Sequence, residues 1–173
     1  MRRVLLSLLP ILLPATALAA GSGEMMLTAG PGLALVHQAE TRTGASADAR
    51  FLYGLSDSWS AHLGLQATWL PASAGQSAAT IVAPSLGMTA AADILNWVPF
   101  AEAALVFGDL RGGGLASRQR LGGRLGGGID YLLTRHLTLS LLGRLDYFAL
   151  ALAGPDDSRP LSLGFALHLG RVF

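Results

Sequence analysis

The sequence feature that most constrains the fold is the alternation of residues 160–173, P-L-S-L-G-F-A-L-H-L-G-R-V-F. Large apolar residues occupy every second position from Leu161 to Leu169, and small or polar residues lie between them. Successive side chains of a β-strand point to opposite faces, so this period of two predicts a strand with one apolar face. Its length also fits a tilted strand that crosses a bilayer. We therefore expect a closing strand that pairs with a neighbour as far as Phe173.

Seven earlier stretches show the same kind of pattern, and the chain therefore predicts eight strands. Long predicted loops (Gln38–Ala47 and Leu110–Gln119 among them) alternate with short turns, as is typical of outer-membrane barrels. We predict an all-β fold, an eight-stranded antiparallel up-and-down transmembrane β-barrel. The predicted strands are about Met25–His37, Asp48–Leu55, Trp59–Trp69, Ala79–Ala91, Trp97–Asp109, Arg120–Leu132, Leu137–Leu150 and Pro160–Phe173.

The composition argues against several other classes of protein. Apolar residues make up 51% of the chain and charged residues 13%, yet no internal run approaches the roughly 18 apolar residues of a transmembrane helix. There is no Cys, so neither a disulfide framework nor a thiolate metal site is expected. The net charge is +1, which gives no indication of nucleic-acid binding. Four scattered His predict no metal site, and no cofactor is expected.

The N-terminal residues have the organisation of a secretory signal peptide. Arg2 and Arg3 precede an apolar segment, and Ala17-Leu18-Ala19 fits the small-x-small cleavage rule. We expect residues 1–20 to be a cleaved signal peptide and residues 21–173 to be the barrel, exported to the bacterial outer membrane.

Aromatic residues on the apolar face predict contact with outer-membrane lipid. Trp59 and Trp69 share one face of a strand and are ten residues apart. At about 3.3 Å per residue and a tilt near 40°, this separation is roughly 25 Å along the membrane normal, the height of a lipid-facing band. With Trp97, Tyr131 and Tyr147 they form the predicted aromatic belt.

Charged residues in the predicted strands fall on the face opposite the large apolar residues. Because charge facing lipid is costly, these side chains should point into the lumen, where they need partners. Pairing of the sixth and seventh strands should bring Arg124 near Arg144, with Asp146 and Glu102 as candidate carboxylates. The predicted structural cluster in the lumen comprises Arg50, Glu102, Arg120, Arg124, Asp130, Arg144 and Asp146.

Two stretches of the sequence are similar to segments found in a known family. Gly126–Leu139 joins a Gly-rich strand with an aromatic end to a short Leu-Thr turn, and Gly54–Ser60 has a similar form. With the eight strands and the aromatic ends, they resemble small outer-membrane barrel proteins of the OmpA/OmpX type. The resemblance implies that the periplasmic barrel-assembly machinery reads an assembly signal in the last strand. The matching residues are Phe165, Leu167, Leu169 and Phe173; Arg171 departs from the pattern.

Several functions remain open at the level of sequence. We expect a monomeric barrel with a filled lumen and a structural or surface-interaction role through its loops, without catalysis. A small anion-preferring pore is the main alternative, since many inner-face positions are Gly or Ala. A lipid A-modifying enzyme would need a group such as His136 with Thr138, or His62 with Ser60, for which no third member is recognisable. A soluble exported barrel that binds a lipid inside would have its faces inverted.

Overall fold

The computed structural model describes residues 22–37, 40–73, 77–94, 96–112, 115–153 and 160–173. The predicted signal peptide, residues 1–20, lies outside the described residues. Among the described residues, no helix is long and apolar enough to cross a membrane. The eight strands are β1 Met25–His37, β2 Thr41–Gly54, β3 Trp59–Leu70, β4 Ala79–Ala91, β5 Trp97–Gly112, β6 Leu115–Thr134, β7 Leu137–Ala153 and β8 Leu161–Val172.

The strands form one closed antiparallel barrel in chain order, so the predicted fold class is confirmed. Closure joins β1 to β8, with Met26 opposite Val172 and His37 opposite Leu161. Because the strand number is even, both ends of the barrel chain lie at the same side. We call this side the terminal end, and the opposite side, where β1 meets β2, the distal end.

The strand boundaries correct two predicted loops. Residues 41–47, predicted as loop, belong to β2, and most of Leu110–Gln119 belongs to β5 and β6. Gln38, Ala39, Gly113 and Gly114 lie outside the described residues. Small polar side chains gave no alternation in hydropathy here, but the backbone still pairs: β1 and β2 stay in register up to His37 and Thr41. At the distal end, the connections after β1 and β5 are therefore short rather than long.

The predicted orientation of the two faces is confirmed over most of the strand residues. In β8 exposed and buried residues alternate strictly: the large apolar residues from Leu161 to Leu169 are exposed and the residues between them are buried, while at the terminal end Arg171 is exposed and Val172 is buried. The other strands follow the same pattern, with local departures in β4, β5, β6 and β7. The outside of the barrel is thus apolar, and the inside is polar in its middle part, as required of a barrel surrounded by lipid.

Candidate functional site

The middle of the lumen contains three arginines that are each at least 97% buried, Arg50, Arg124 and Arg144. They lie on β2, β6 and β7, at inward positions of the alternating pattern. A buried charge is tolerated when an opposite charge and hydrogen bonds compensate for the lost hydration. Each of the three is paired with a buried carboxylate.

Arg124 makes the most complete set of contacts. Its Nε and Nη2 atoms donate to the two carboxylate oxygens of Asp146 at 2.6 and 2.8 Å, which is a bidentate pair. Register explains the pair, because Arg124 and Asp146 are directly opposite on β6 and β7. Nη1 donates to Ser85 Oγ at 3.3 Å, and Nη2 donates to Gln66 Oε1 at 2.7 Å. This one guanidinium therefore links β7, β4 and β3 to β6.

The other two arginines cross the lumen to strands that are not their neighbours. Arg50 Nη1 on β2 donates to Glu102 Oε2 on β5 at 2.6 Å. The same guanidinium lies 5.2 Å from the ring centre of Phe100. Arg144 on β7 forms an ion pair with Asp48 on β2. Both pairs connect strands that are three apart around the barrel. Because they cross the lumen, we call the Arg50–Glu102 and Arg144–Asp48 pairs the braces.

His168 on β8 contacts the Arg144–Asp48 pair through Asp48. Its Nε2 lies 2.7 Å from Asp48 Oδ1, and its Nδ1 lies 3.3 Å from Thr28 Oγ1. Asp48 thus contacts both Arg144 and His168 in the part of the lumen between β2, β7 and β8. Asp48 was not among the predicted cluster residues, because it stood at the first position of the predicted second strand. Its spacing of two from Arg50 was the available signal, since such residues share a face.

The seven predicted cluster residues are all buried, and the three arginines of the middle lumen form separate pairs with carboxylates. Arg124 lies two residues from the position opposite Arg144, as predicted, but each arginine has its own carboxylate: Asp146 for Arg124 and Asp48 for Arg144. The predicted partner Glu102 pairs with Arg50 instead. Asp130 is buried on β6, directly opposite Ser140 of β7.

Arg120, the seventh predicted member, lies elsewhere, in a pocket at the distal mouth of the lumen. On β6 it is separated from Arg124 by Gly122, which is directly opposite Phe148. Arg120 and Arg124 therefore share the inner face of β6, but Arg120 lies nearer the distal end of the lumen than Arg124 does.

Inward glycines make room for the braces. A Cβ atom added at Gly126 would lie 2.7 Å from Glu102 Oε1, and one at Gly164 would lie 3.3 Å from Arg144 Cγ. At these two of the glycine positions that suggested an open lumen, neighbouring charged side chains thus occupy the space. Outward Gly123 differs, because no atom lies within 4 Å of an added Cβ there.

The two His–hydroxyl pairs considered for catalysis are not formed. His62 Nδ1 is 3.0 Å from Thr89 Oγ1 of the neighbouring strand, and both residues are buried. Thr138 is buried, with its hydroxyl donating to Met26 Sδ at 3.9 Å, whereas His136 is exposed in the β6–β7 turn. Among the described residues, no group of three His, Cys, Asp or Glu could hold a metal ion.

The outer wall carries the predicted belt residues. Trp59 and Trp97 lie near the terminal end and Trp69 near the distal end, all about half exposed. Tyr147 is also exposed, whereas Tyr131 is only partly exposed, with its ring centre 4.6 Å from that of Trp97. The belt thus has members at both ends of the outer surface.

The residues of the predicted assembly signal also face outward. Phe165, Leu167 and Leu169 on the outer face of β8, and Phe173 directly after it, are each at least half exposed and continue the apolar wall. Arg171, the departure from the pattern, lies with its guanidinium carbon 5.2 Å from the ring centre of Phe173 at the terminal end. An arginine at this level can extend towards the membrane surface.

A closed eight-stranded barrel with an apolar outer wall and a polar interior defines the fold of the small outer-membrane barrels. Solved structures of this class are similar to the chain. Neisserial surface protein A (NspA) superposes with a TM-score of 0.73 at 14% identity, over 87% of this chain and 99% of that protein.

Two other solved structures align over similar lengths. The outer membrane protein OprG from Pseudomonas aeruginosa gives a TM-score of 0.65 at 10% identity, over 88% of this chain and 97% of its own. Ail, the attachment invasion locus protein of Yersinia pestis, gives a TM-score of 0.59 at 13% identity, over 88% of this chain and 99% of its own. No protein-family model and no curated protein matches the sequence. At these identities, the likeness concerns the fold.

Proposed function

We propose that the chain is an integral outer-membrane barrel with a filled lumen, which acts as a structural or surface-interaction protein and not as an enzyme. The observation that carries the proposal is the combination of an apolar outer wall with a lumen of paired, buried charges. In this proposal the terminal end faces the periplasm and the distal end faces the exterior, as the export signal and the even strand number favour.

The distribution of exposed leucines supports a surrounding of lipid. The most exposed ones are Leu33 on β1, Leu105 on β5, Leu125 on β6 and Leu141 on β7, each more than 60% exposed. They lie on strands that are distributed around the barrel, so the apolar surface is not confined to one patch. Soluble monomers seldom expose an apolar patch of more than a few hundred Å². A soluble barrel with a lipid inside is therefore disfavoured, as is the inverted arrangement of faces that it needs.

Apolar layers at both ends of the lumen support the filled state. Towards the terminal end, Met26, Leu52 and Val172 form a buried cluster. Towards the distal end, two buried clusters lie on the inner side: Ala34 with Val36 and Leu70, and Ala83 with Val106 and Phe148. The polar braces thus lie between layers of apolar side chains, and an ion passing through the lumen would have to displace both.

A pore and a lipid-modifying enzyme are both less well supported. The pore hypothesis depends on inward glycines that leave space, but the side chains of Glu102 and Arg144 occupy the space at Gly126 and Gly164. The enzyme hypothesis depends on a His paired with a hydroxyl, but His62 is 98% buried, and Thr138 is buried against Met26 while His136 is exposed in the turn. We therefore propose the closed barrel without catalysis.

Single-channel recording in planar bilayers tests the filled lumen. The refolded protein should insert without conductance steps, because the braces and the apolar layers block the ion path. Regular conductance steps from the unmodified protein would refute the filled lumen.

We further propose that the barrel acts as a monomer and depends on the periplasmic barrel-assembly machinery during biogenesis. The exposed residues of β8 that fit the assembly signal support the second part of this proposal. Cross-linking in outer-membrane vesicles tests the oligomeric state, and a predominant dimer band would contradict a monomer.

A further inference from the structure

An arginine faces outward in the apolar wall at the terminal end. Arg171 is exposed on β8, where it follows the row of outward-facing apolar residues. The residues directly opposite it are Leu137 on β7 and Leu27 on β1. An arginine facing lipid is costly near the bilayer centre, whereas near the membrane surface it can reach polar groups. Arg171 therefore lies at the border between the lipid-facing wall and the level of the headgroups.

The guanidinium of Arg171 has hydrogen-bond donors to spare. Its central carbon lies over the ring of Phe173, and within the described part of the chain this ring is the partner of the guanidinium. Contact with a ring uses the face of the guanidinium and leaves the N–H groups at its edge available. The main-chain oxygen of Phe173 accepts a hydrogen bond from Met25 N at 3.5 Å, on the side of β1. The edge of the guanidinium is thus available to an acceptor from outside the chain.

A second arginine lies in the turn next to Arg171. Arg135 is exposed in the β6–β7 turn. This turn adjoins the end of β8, because His136 O accepts a hydrogen bond from Val172 N at 3.0 Å. We call the region around Arg135 and Arg171 the basic corner.

The basic corner differs in charge from the rest of the terminal end. Three segments meet there and contain two arginines but no Asp or Glu: residues 131–139, 165–173 and 25–29. Glu24, just before the last of these segments, already has an interaction. The other connections at this end carry acids, Asp57 between β2 and β3 and Asp93 between β4 and β5. Positive charge is therefore in excess locally, where β7, β8 and β1 end.

We propose that the basic corner binds the phosphate of an anionic phospholipid. Arg171 and Arg135 donate charge-assisted hydrogen bonds to the phosphate oxygens, and the acyl chains lie along Leu169 and Leu139 of the apolar wall. A phospholipid fits better than a free anion, because leucines flank Arg171 in the wall. An anionic headgroup fits better than a zwitterionic one, because the corner offers no Asp or Glu to pair with an ammonium group. The site rests on the proposed function for its contact with the lipid leaflet at the terminal end.

Native mass spectrometry of the refolded full barrel, released from an uncharged detergent, tests the site. The probes are phosphatidylglycerol and phosphatidylethanolamine with the same acyl chains, and inorganic phosphate. We expect saturable binding of phosphatidylglycerol, weaker binding of phosphatidylethanolamine and none of inorganic phosphate. An arginine beside anionic lipid contributes roughly five-fold in affinity, so Arg171→Leu should weaken phosphatidylglycerol by about this factor or more.

Two further variants complete the experiment. Arg111→Leu is the matched control, because Arg111 is also exposed but lies at the distal end and is paired with Asp109. It should leave the affinity for phosphatidylglycerol unchanged. Arg135→Gln changes an exposed turn residue outside the strand pairing and should weaken phosphatidylglycerol by about two- to five-fold. This variant tests the site even if Arg171→Leu fails to refold.

Three results would overturn the site. They are equal affinities for the two phospholipids, binding of inorganic phosphate as tight as that of phosphatidylglycerol, and equal losses in Arg171→Leu and Arg111→Leu. Each variant is first shown to be folded by its mobility without boiling. Failure of the site would therefore leave the conductance test unaffected, whereas failure of the proposed function would appear as conductance steps from the unmodified protein.

Discussion

Replacement of Arg124 by Met should strongly destabilise the barrel. Arg124 is 2% exposed, and its guanidinium makes the bidentate pair with Asp146 and the bonds to Gln66 and Ser85. Met retains the apolar stem of the side chain but leaves the Asp146 carboxylate buried without its cation. Removal of one partner of a buried ion pair costs about 3–5 kcal/mol. We expect a loss of this size in the free energy of unfolding.

Urea unfolding of the refolded protein in lipid vesicles, followed by tryptophan fluorescence, measures this loss. In the double variant Arg124→Met/Asp146→Leu no carboxylate is left alone, and only Gln66 and Ser85 lose a partner. The double variant should therefore be more stable than the single variant by about 2 kcal/mol or more, since apolar replacement of a whole buried pair is often tolerated.

Arg111→Met is the matched control for this experiment. Arg111 also pairs with an aspartate, Asp109, but its side chain is 70% exposed at the distal end. The Asp109 side chain is only 9% exposed but has a further interaction, and the Arg111 guanidinium is exposed to water, so the control should change stability by no more than about 1 kcal/mol. Two results would refute the argument that this buried ion pair stabilises the barrel: a cost of less than about 1 kcal/mol for Arg124→Met, or a double variant no more stable than the single variant.

Three further predictions concern the inward glycines, the buried Phe148 ring and assembly. Gly126→Val should destabilise by about 1–3 kcal/mol in the same urea assay, because its side chain would displace Glu102, whereas Gly123→Val, in open space on the outer wall, should be neutral; equal effects would contradict the packing argument. Phe148→Ala should lower the free energy of unfolding by about 3–5 kcal/mol, because the ring is buried against Ala83 and Val106; a thermal or urea midpoint equal to that of the unmodified protein would contradict this packing. Deletion of Phe173 should slow assembly in cells, measured by pulse-chase of the folded form, while refolding in vitro keeps its rate; unchanged assembly would remove Phe173 from the proposed signal.

Alternation in the sequence predicted the strands and their faces because a barrel imposes the period of two on every residue that faces lipid. β1 and β4 have the predicted bounds, Met25–His37 and Ala79–Ala91. The prediction was wrong at residues 41–47, where Thr, Gly, Ala and Ser alternate in orientation without alternating in hydropathy. Pairing with β1 and β3, which is not visible locally, makes this segment a strand.

The partners of the buried charges could be predicted only in part. Arg124 and Asp146 follow from the hairpin of β6 and β7, whose short turn sets the register. Arg50 with Glu102, and Arg144 with Asp48, join strands that are not neighbours. Which strands come opposite each other across the lumen depends on closure and stagger of the whole barrel, a property that no local segment contains.

The most direct test of the central claim is the electrophoretic mobility of the protein in isolated outer membranes, with and without boiling. We predict that the protein is found in the outer-membrane fraction and that the unboiled form migrates differently from the boiled form, because a closed barrel with buried braces resists SDS until heated. A protein recovered in the soluble periplasmic fraction, with a single mobility, would contradict an integral outer-membrane barrel.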